Sequence, residues 1–154
     1  MFNVKGMSRK TIIEIISALL ILLFVYAAVS KLMAFDDFLS GLRTSPFIKP
    51  YAYFLVWTIP IIELSITVFL FIKATQLLGL YSAVVLLSLF TIYIIWVLNF
   101  SPKVPCSCGG VIQSLSWRQH IIFNLAFLTL TIIGIMVQKK MNKQKAFSGE
   151  AENL

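Results

Sequence analysis

Charge is scarce in this sequence. Asp, Glu, Lys and Arg make up 12% of its 154 residues, about half the share of an ordinary soluble protein. There are only six acidic residues, two cysteines and one histidine. Such an inventory cannot cover a water-facing surface, so a soluble globular domain is excluded. The alternating apolar period of a membrane β-strand is missing, and no internal repeat is present. A disordered chain is excluded by 13 Phe and 14% aromatic residues, the opposite of a disordered composition. What the sequence has instead is apolar length: 59% of its residues are hydrophobic. The net charge of +7 does not indicate a nucleic-acid partner, because the basic residues flank apolar runs and form no patch. Such flanks orient membrane spans.

Four runs are long enough to cross a hydrocarbon core about 30 Å thick, which takes about 20 helical residues. They cover about 11–34, 51–72, 76–100 and 118–138. Helix is the expected state, because a span must satisfy its own backbone hydrogen bonds in lipid. The fold class is therefore all-α, an integral membrane four-helix bundle. The first run is too long for the apolar part of a secretion signal and no small-residue cleavage site follows it, so it is expected to stay as a span. Residues 1–10 read as a basic N-terminal segment, 11–138 as the membrane domain, and 139–154 as a polar tail expected to lack order after Lys145.

The positive-inside rule sets the expected orientation. One side holds Lys5, Arg9, Lys10, Lys73, Lys139, Lys140, Lys143 and Lys145; the other holds Lys31, Arg43, Lys49, Lys103 and Arg118. Both termini are therefore expected in the cytoplasm. The few residues around Lys73 make spans two and three a tight antiparallel hairpin. In the first outer connection, Phe35, Phe38, Leu39 and Leu42 recur at helical spacing after Asp36 and Asp37. This reads as a short amphipathic helix lying at the membrane interface.

The second outer connection holds both cysteines, in Pro105-Cys106-Ser-Cys108-Gly109-Gly110. In an oxidising compartment thiols tend to pair. A disulfide across one intervening residue is strained, and strain makes it easier to reduce. Gly109 and Gly110 allow a tight turn and the approach of a partner. Unpaired cysteines or a purely structural bridge are the competing readings. His120, with Asn124 at i+4 on the same face, is expected one turn inside the fourth span, which Ser116 and Gln119 open as a capping box. An imidazole there can activate a thiol or relay a proton; it can also be a simple hydrogen-bonded anchor.

Glu63 falls near the middle of the second span. A carboxylate at that depth is costly, so it should face protein and find a partner, for which Lys31 is the natural candidate. Glu14, Ser17, Ile21, Phe24, Ala28 and Lys31 are spaced by threes and fours and are expected on one bundle-facing stripe. Helix glue and proton movement are equally open as roles for the Lys31–Glu63 pair. Asn99 reads as a packing hydrogen bond, and Trp57, Trp96 and Trp117 as interface or packing residues.

Taken together, Ser30-Lys31-Leu32, Ile59-Pro60-Ile61-Ile62-Glu63-Leu64, Pro105-Cys-Ser-Cys-Gly-Gly, and Leu115-Ser-Trp-Arg-Gln-His-Ile-Ile-Phe-Asn124 resemble the MauE/DoxX-like redox-associated membrane proteins. The last of these motifs resembles the Bacteroidota form. The resemblance covers about residues 8–137 and implies a four-helix membrane bundle in the inner membrane. It also implies that Cys106 and Cys108 are a periplasmic redox pair, that Lys31 and Glu63 are an intramembrane polar pair, and that a thioredoxin-like protein is a partner. The family's founding member serves the maturation of a periplasmic, disulfide-rich methylamine dehydrogenase; nothing in this sequence is specific to methylamine.

The leading expectation is thiol–disulfide exchange, with catalytic Cys106, Cys108 and His120 supported by Gly109, Gly110 and Asn124. A quinone is a candidate electron partner, although no quinone motif is visible. Two other classes stand beside it. Cys106, Cys108 and His120 can be read as soft-metal ligands, but three ligands at this spacing match no strong zinc pattern, and no metal set is assigned. The chain can also be read as a non-catalytic subunit whose cysteine loop docks a larger membrane assembly.

Overall fold

The computed structural model describes residues 8–45, 48–100 and 117–152. Every regular element among them is helical: α1 (Arg9–Met33), α2 (Phe35–Thr44), a single 3-10 turn (Lys49–Tyr51), α3 (Ala52–Phe71), α4 (Gln76–Phe100) and α5 (Trp117–Glu152). Four of these, α1, α3, α4 and α5, contain stretches long and apolar enough to cross a membrane. The helices form where the chain is apolar because each backbone N–H must find its acceptor inside its own segment when no water is present.

Local chemistry sets the ends. The Ser8 side chain caps α1 by accepting from the Thr11 amide, which satisfies one of the free donors of the first turn. Pro50 fits the 3-10 turn before α3, where a missing amide costs nothing. α3 and α4 are joined by only a few residues around Lys73, and the hairpin closes tightly at Gly79. A Cβ there would lie 2.8 Å from the Leu70 amide nitrogen, so only glycine admits this approach of two backbones.

α1 packs against α3 and α5, and α4 packs against the same two helices. The bundle is thus a four-cornered ring in which every neighbouring pair runs antiparallel. An even number of crossings brings the beginning of α1 and the extension of α5 to one end, where Arg9 donates to Gln144 Oε1 at 2.5 Å. The stripe of α1 is realised through Ser17, Phe24, Ala28 and Lys31, all buried, with Ile21 half-buried. Glu14 departs from the expectation and is exposed: near that end the buried face passes through Ile13, Ile16 and Leu20, since a straight helix drifts against a 3.5-residue repeat.

Two apolar clusters form the core. One, at the hairpin end, gathers Ile16, Leu20, Phe24, Ile66, Leu70, Leu80, Ala83, Leu87 and Ile135. The other joins Phe38, Leu39 and Leu42 of α2 to Ala52 and Val56 of α3. α2 therefore turns its apolar face onto α3, held there by Phe35 against Trp57 (ring centroids 5.3 Å apart) and by Arg43 over the Tyr53 ring at 4.6 Å.

The polar tail differs from expectation. α5 continues as helix to Glu152, past the end of its apolar run. Gln, Lys, Met and Ala dominate residues 138–146, all strong helix formers with no proline among them, so a helix already nucleated in the membrane propagates into the polar segment.

Candidate functional site

Lys31 occupies the last turn of α1, and Glu63 the middle of α3. Their side chains meet at 2.6 Å, Lys31 Nζ donating to Glu63 Oε1. Glu63 is 1% exposed and Lys31 8%, so this is a buried ion pair. Such a pair survives desolvation only with close geometry and further hydrogen bonds. Lys31 has those supports: its ammonium also reaches the Ala27 carbonyl at 3.4 Å and sits 5.9 Å from the Phe38 ring centroid and 5.6 Å from that of Phe90. The ring faces of α2 and α4 thus carry part of the cation's solvation.

The pair stands in the wall of a cavity of about 350 Å³ lying between the two apolar clusters. All five helices contribute to it, and His120 and Asn124 of α5 lie in the same wall. Asn124 is buried and His120 half-buried. The structure therefore brings together four of the residues singled out in the sequence: Lys31, Glu63, His120 and Asn124. Two polar atoms in the wall, Glu63 Oε2 and His120 Nδ1, are shut from solvent and have no hydrogen-bond partner among the described residues. Buried polar atoms are nearly always satisfied; of the three exceptions among the described residues, these two lie in the wall of this cavity and the third, Gln138 Oε1, lies outside it.

Other lining residues carried no signal in the sequence. Tyr93 of α4 lies in the wall, and its hydroxyl is hydrogen-bonded to that of Ser45, which ties the end of α2 to α4. Phe90 and Phe123 also line the cavity. Tyr93 shares its span with Tyr81, Ser88, Thr91 and Asn99, so its phenol does not stand out in the sequence. Asn99 lies elsewhere: it is exposed and donates to the Ile95 carbonyl of its own helix at 2.7 Å. Cys106, Cys108, Gly109, Gly110 and the capping Ser116 fall outside the described residues. Among the described residues no cluster of three or more His, Cys, Asp or Glu is placed to hold a metal ion.

The family model for methylamine utilisation protein MauE matches residues 9–137. The chain belongs to the MauE family. The match runs from the first residue of α1 to Val137 in α5, so it takes in all four spans, the cavity and the Cys-X-Cys segment. Searches of curated proteins and of solved structures give no match. This MauE-family chain is a multi-pass membrane protein.

Proposed function

We propose that this MauE-family protein works in the inner membrane as a thiol–disulfide exchange protein, with Cys106 and Cys108 on the periplasmic side and both termini in the cytoplasm. Its partner in this reading is a thioredoxin-like or client protein, and the process served is the maturation of periplasmic proteins. The observation that carries the reading is family membership in a chain whose only two cysteines form a Cys-X-Cys pair between α4 and α5. Lys31, in the last turn of α1, and His120 and Asn124, near the start of α5, line one cavity with the mid-span Glu63 in the half of the bundle that this segment joins. The basic residues favour the same orientation.

In the reaction, the thiolate of one cysteine attacks a partner disulfide, forming a mixed disulfide and releasing one partner thiolate. The second cysteine then attacks the mixed disulfide, closing Cys106–Cys108 and leaving the partner as a dithiol. Two electrons pass to the partner; the opposite direction runs the same steps backwards. His120, at the start of α5, is assigned to proton exchange with the thiols.

The test is trapping in cells with Cys106→Ser and Cys108→Ser variants. One variant, stripped of its resolving cysteine, should accumulate a mixed disulfide with a periplasmic protein. If neither variant traps a partner and the double variant supports full function, thiol exchange is the wrong reading and the cysteine loop has another role.

A further inference from the structure

Thiol exchange by itself leaves the cavity without a use. Its volume of about 350 Å³ lies in the range of small-molecule sites. Among its lining residues only Ile62 of α3 and Leu89 of α4 are exposed, at 40% and 58%. Both lie within the apolar stretches of membrane spans, so where the cavity wall reaches the protein surface it does so on a face turned to hydrocarbon. A ligand entering there comes from the bilayer.

The wall narrows the chemistry further. The Lys31 charge is already neutralised by Glu63 at 2.6 Å, so the site has no spare cation for a phosphate or carboxylate head. Phe24, Phe38, Phe90, Tyr93 and Phe123 line it with aromatic rings, which suit a flat ring. Glu63 Oε2 and His120 Nδ1 stand unpartnered in the same wall; the imidazole can donate to a ring carbonyl, whereas the carboxylate only accepts and takes the hydroxyl of the reduced ring. A lipid-soluble, uncharged, planar head with hydrogen-bonding oxygens and an apolar tail meets every one of these conditions.

We infer that the cavity binds the ring of an isoprenoid quinone, with its tail leaving between Ile62 and Leu89. The space, the lipid-facing wall and the neutral charge stand on the geometry alone; choosing a redox-active ring over another neutral ring rests on the thiol-exchange reading. The experiment uses the full-length protein in phosphatidylcholine nanodiscs. These are loaded with menaquinone-4 or decylubiquinone, or with geranylgeraniol as a tail lacking the ring, and re-isolated. Retained ligand is measured by extraction and ultraviolet absorbance.

Saturable retention of a quinone, with geranylgeraniol retained at least about tenfold less, is the expected result. Leu89→Trp should lower quinone retention by about the same factor by closing the lipid-facing wall, and Ile62→Trp repeats the test from the other helix. Both positions are lipid-facing, and helicity and monodispersity confirm that the variants fold. Equal retention of geranylgeraniol, or quinone retention unmoved by both tryptophans, overturns the assignment. A Cys106→Ser/Cys108→Ser double variant should bind quinone unchanged. Quinone retention without any trapped thiol partner would sink the exchange reading and leave this site standing, whereas trapped partners without quinone retention would do the reverse.

Discussion

Lys31 and Glu63, 32 residues apart in the chain, share a 2.6 Å hydrogen bond that fastens the end of α1 to the middle of α3 inside the membrane domain. Because Glu63 is 1% exposed and Lys31 8%, each is the main reason the other can be charged there. Breaking such a pair from one side is costlier than removing it whole.

Glu63→Ala should therefore destabilise the bundle by about 3–5 kcal/mol, the typical cost of orphaning one buried charge. The paired change Lys31→Met with Glu63→Leu should recover most of that loss. Thermal unfolding of the purified protein in detergent, run as a double-mutant cycle, measures the coupling. Additive losses would show that the two side chains act independently.

At Gly79, alanine brings its Cβ to 2.8 Å from the Leu70 amide nitrogen and 3.0 Å from the Phe69 carbonyl carbon. Backbone cannot step aside as a side chain can, so Gly79→Ala should cost about 1–3 kcal/mol. Gly134→Ala meets the Ile16 Cγ2 methyl at 3.2 Å, a contact that a small side-chain shift relieves. The same unfolding assay should rank Gly79→Ala well above Gly134→Ala.

Orientation is checked by labelling. In a background without Cys106 and Cys108, Lys49→Cys and Asn142→Cys place single thiols at exposed positions on opposite ends of the bundle. An impermeant maleimide added to intact spheroplasts should modify the first and spare the second. The reverse pattern would put the cysteine segment in the cytoplasm, where thiols stay reduced.

Of the two cysteines, Cys108 is expected to attack first. Gly109 and Gly110 follow it, and successive backbone N–H groups in a glycine turn can hold an anion, whereas Cys106 follows the fixed ring of Pro105. The mixed disulfide should then accumulate in Cys106→Ser and be absent in Cys108→Ser. Site-by-site alkylation of the reduced protein gives an independent reading: faster modification of Cys106, unaltered by His120→Ala, would reverse the assignment and remove the histidine from it.

The four spans were legible because lipid leaves an apolar run few alternatives to helix. The Lys31–Glu63 contact was legible for a related reason: a lone carboxylate in such a run must be paired. Spacing alone showed the helix of Phe35, Phe38, Leu39 and Leu42, but not which surface its apolar face covers. That depends on the entry of α3, where Ala52 and Val56 receive it. The cavity was not legible at all. It arises where the two apolar clusters fail to merge, and residues such as Phe90 and Phe123 look like ordinary span residues until the helices are assembled. Glu14 was misplaced because a stripe drawn at strict threes and fours ignores the drift of a straight helix.

The position of the two partners along the chain bears on how the protein is made. Lys31 lies in the last turn of the first span, where a lysine stem can carry its charge toward the interface, so α1 can enter the bilayer unaided. α3 carries its acid at mid-span, at a cost of about 2.5–3.5 kcal/mol for a carboxylate on insertion scales. Synthesis delivers α1 before α3, so the base that neutralises this acid is already in the membrane when α3 leaves the ribosome. Insertion of the second span is thereby conditional on the first. A chain in which α1 is replaced by an unrelated apolar helix should retain α3 poorly, even though its own sequence is unchanged.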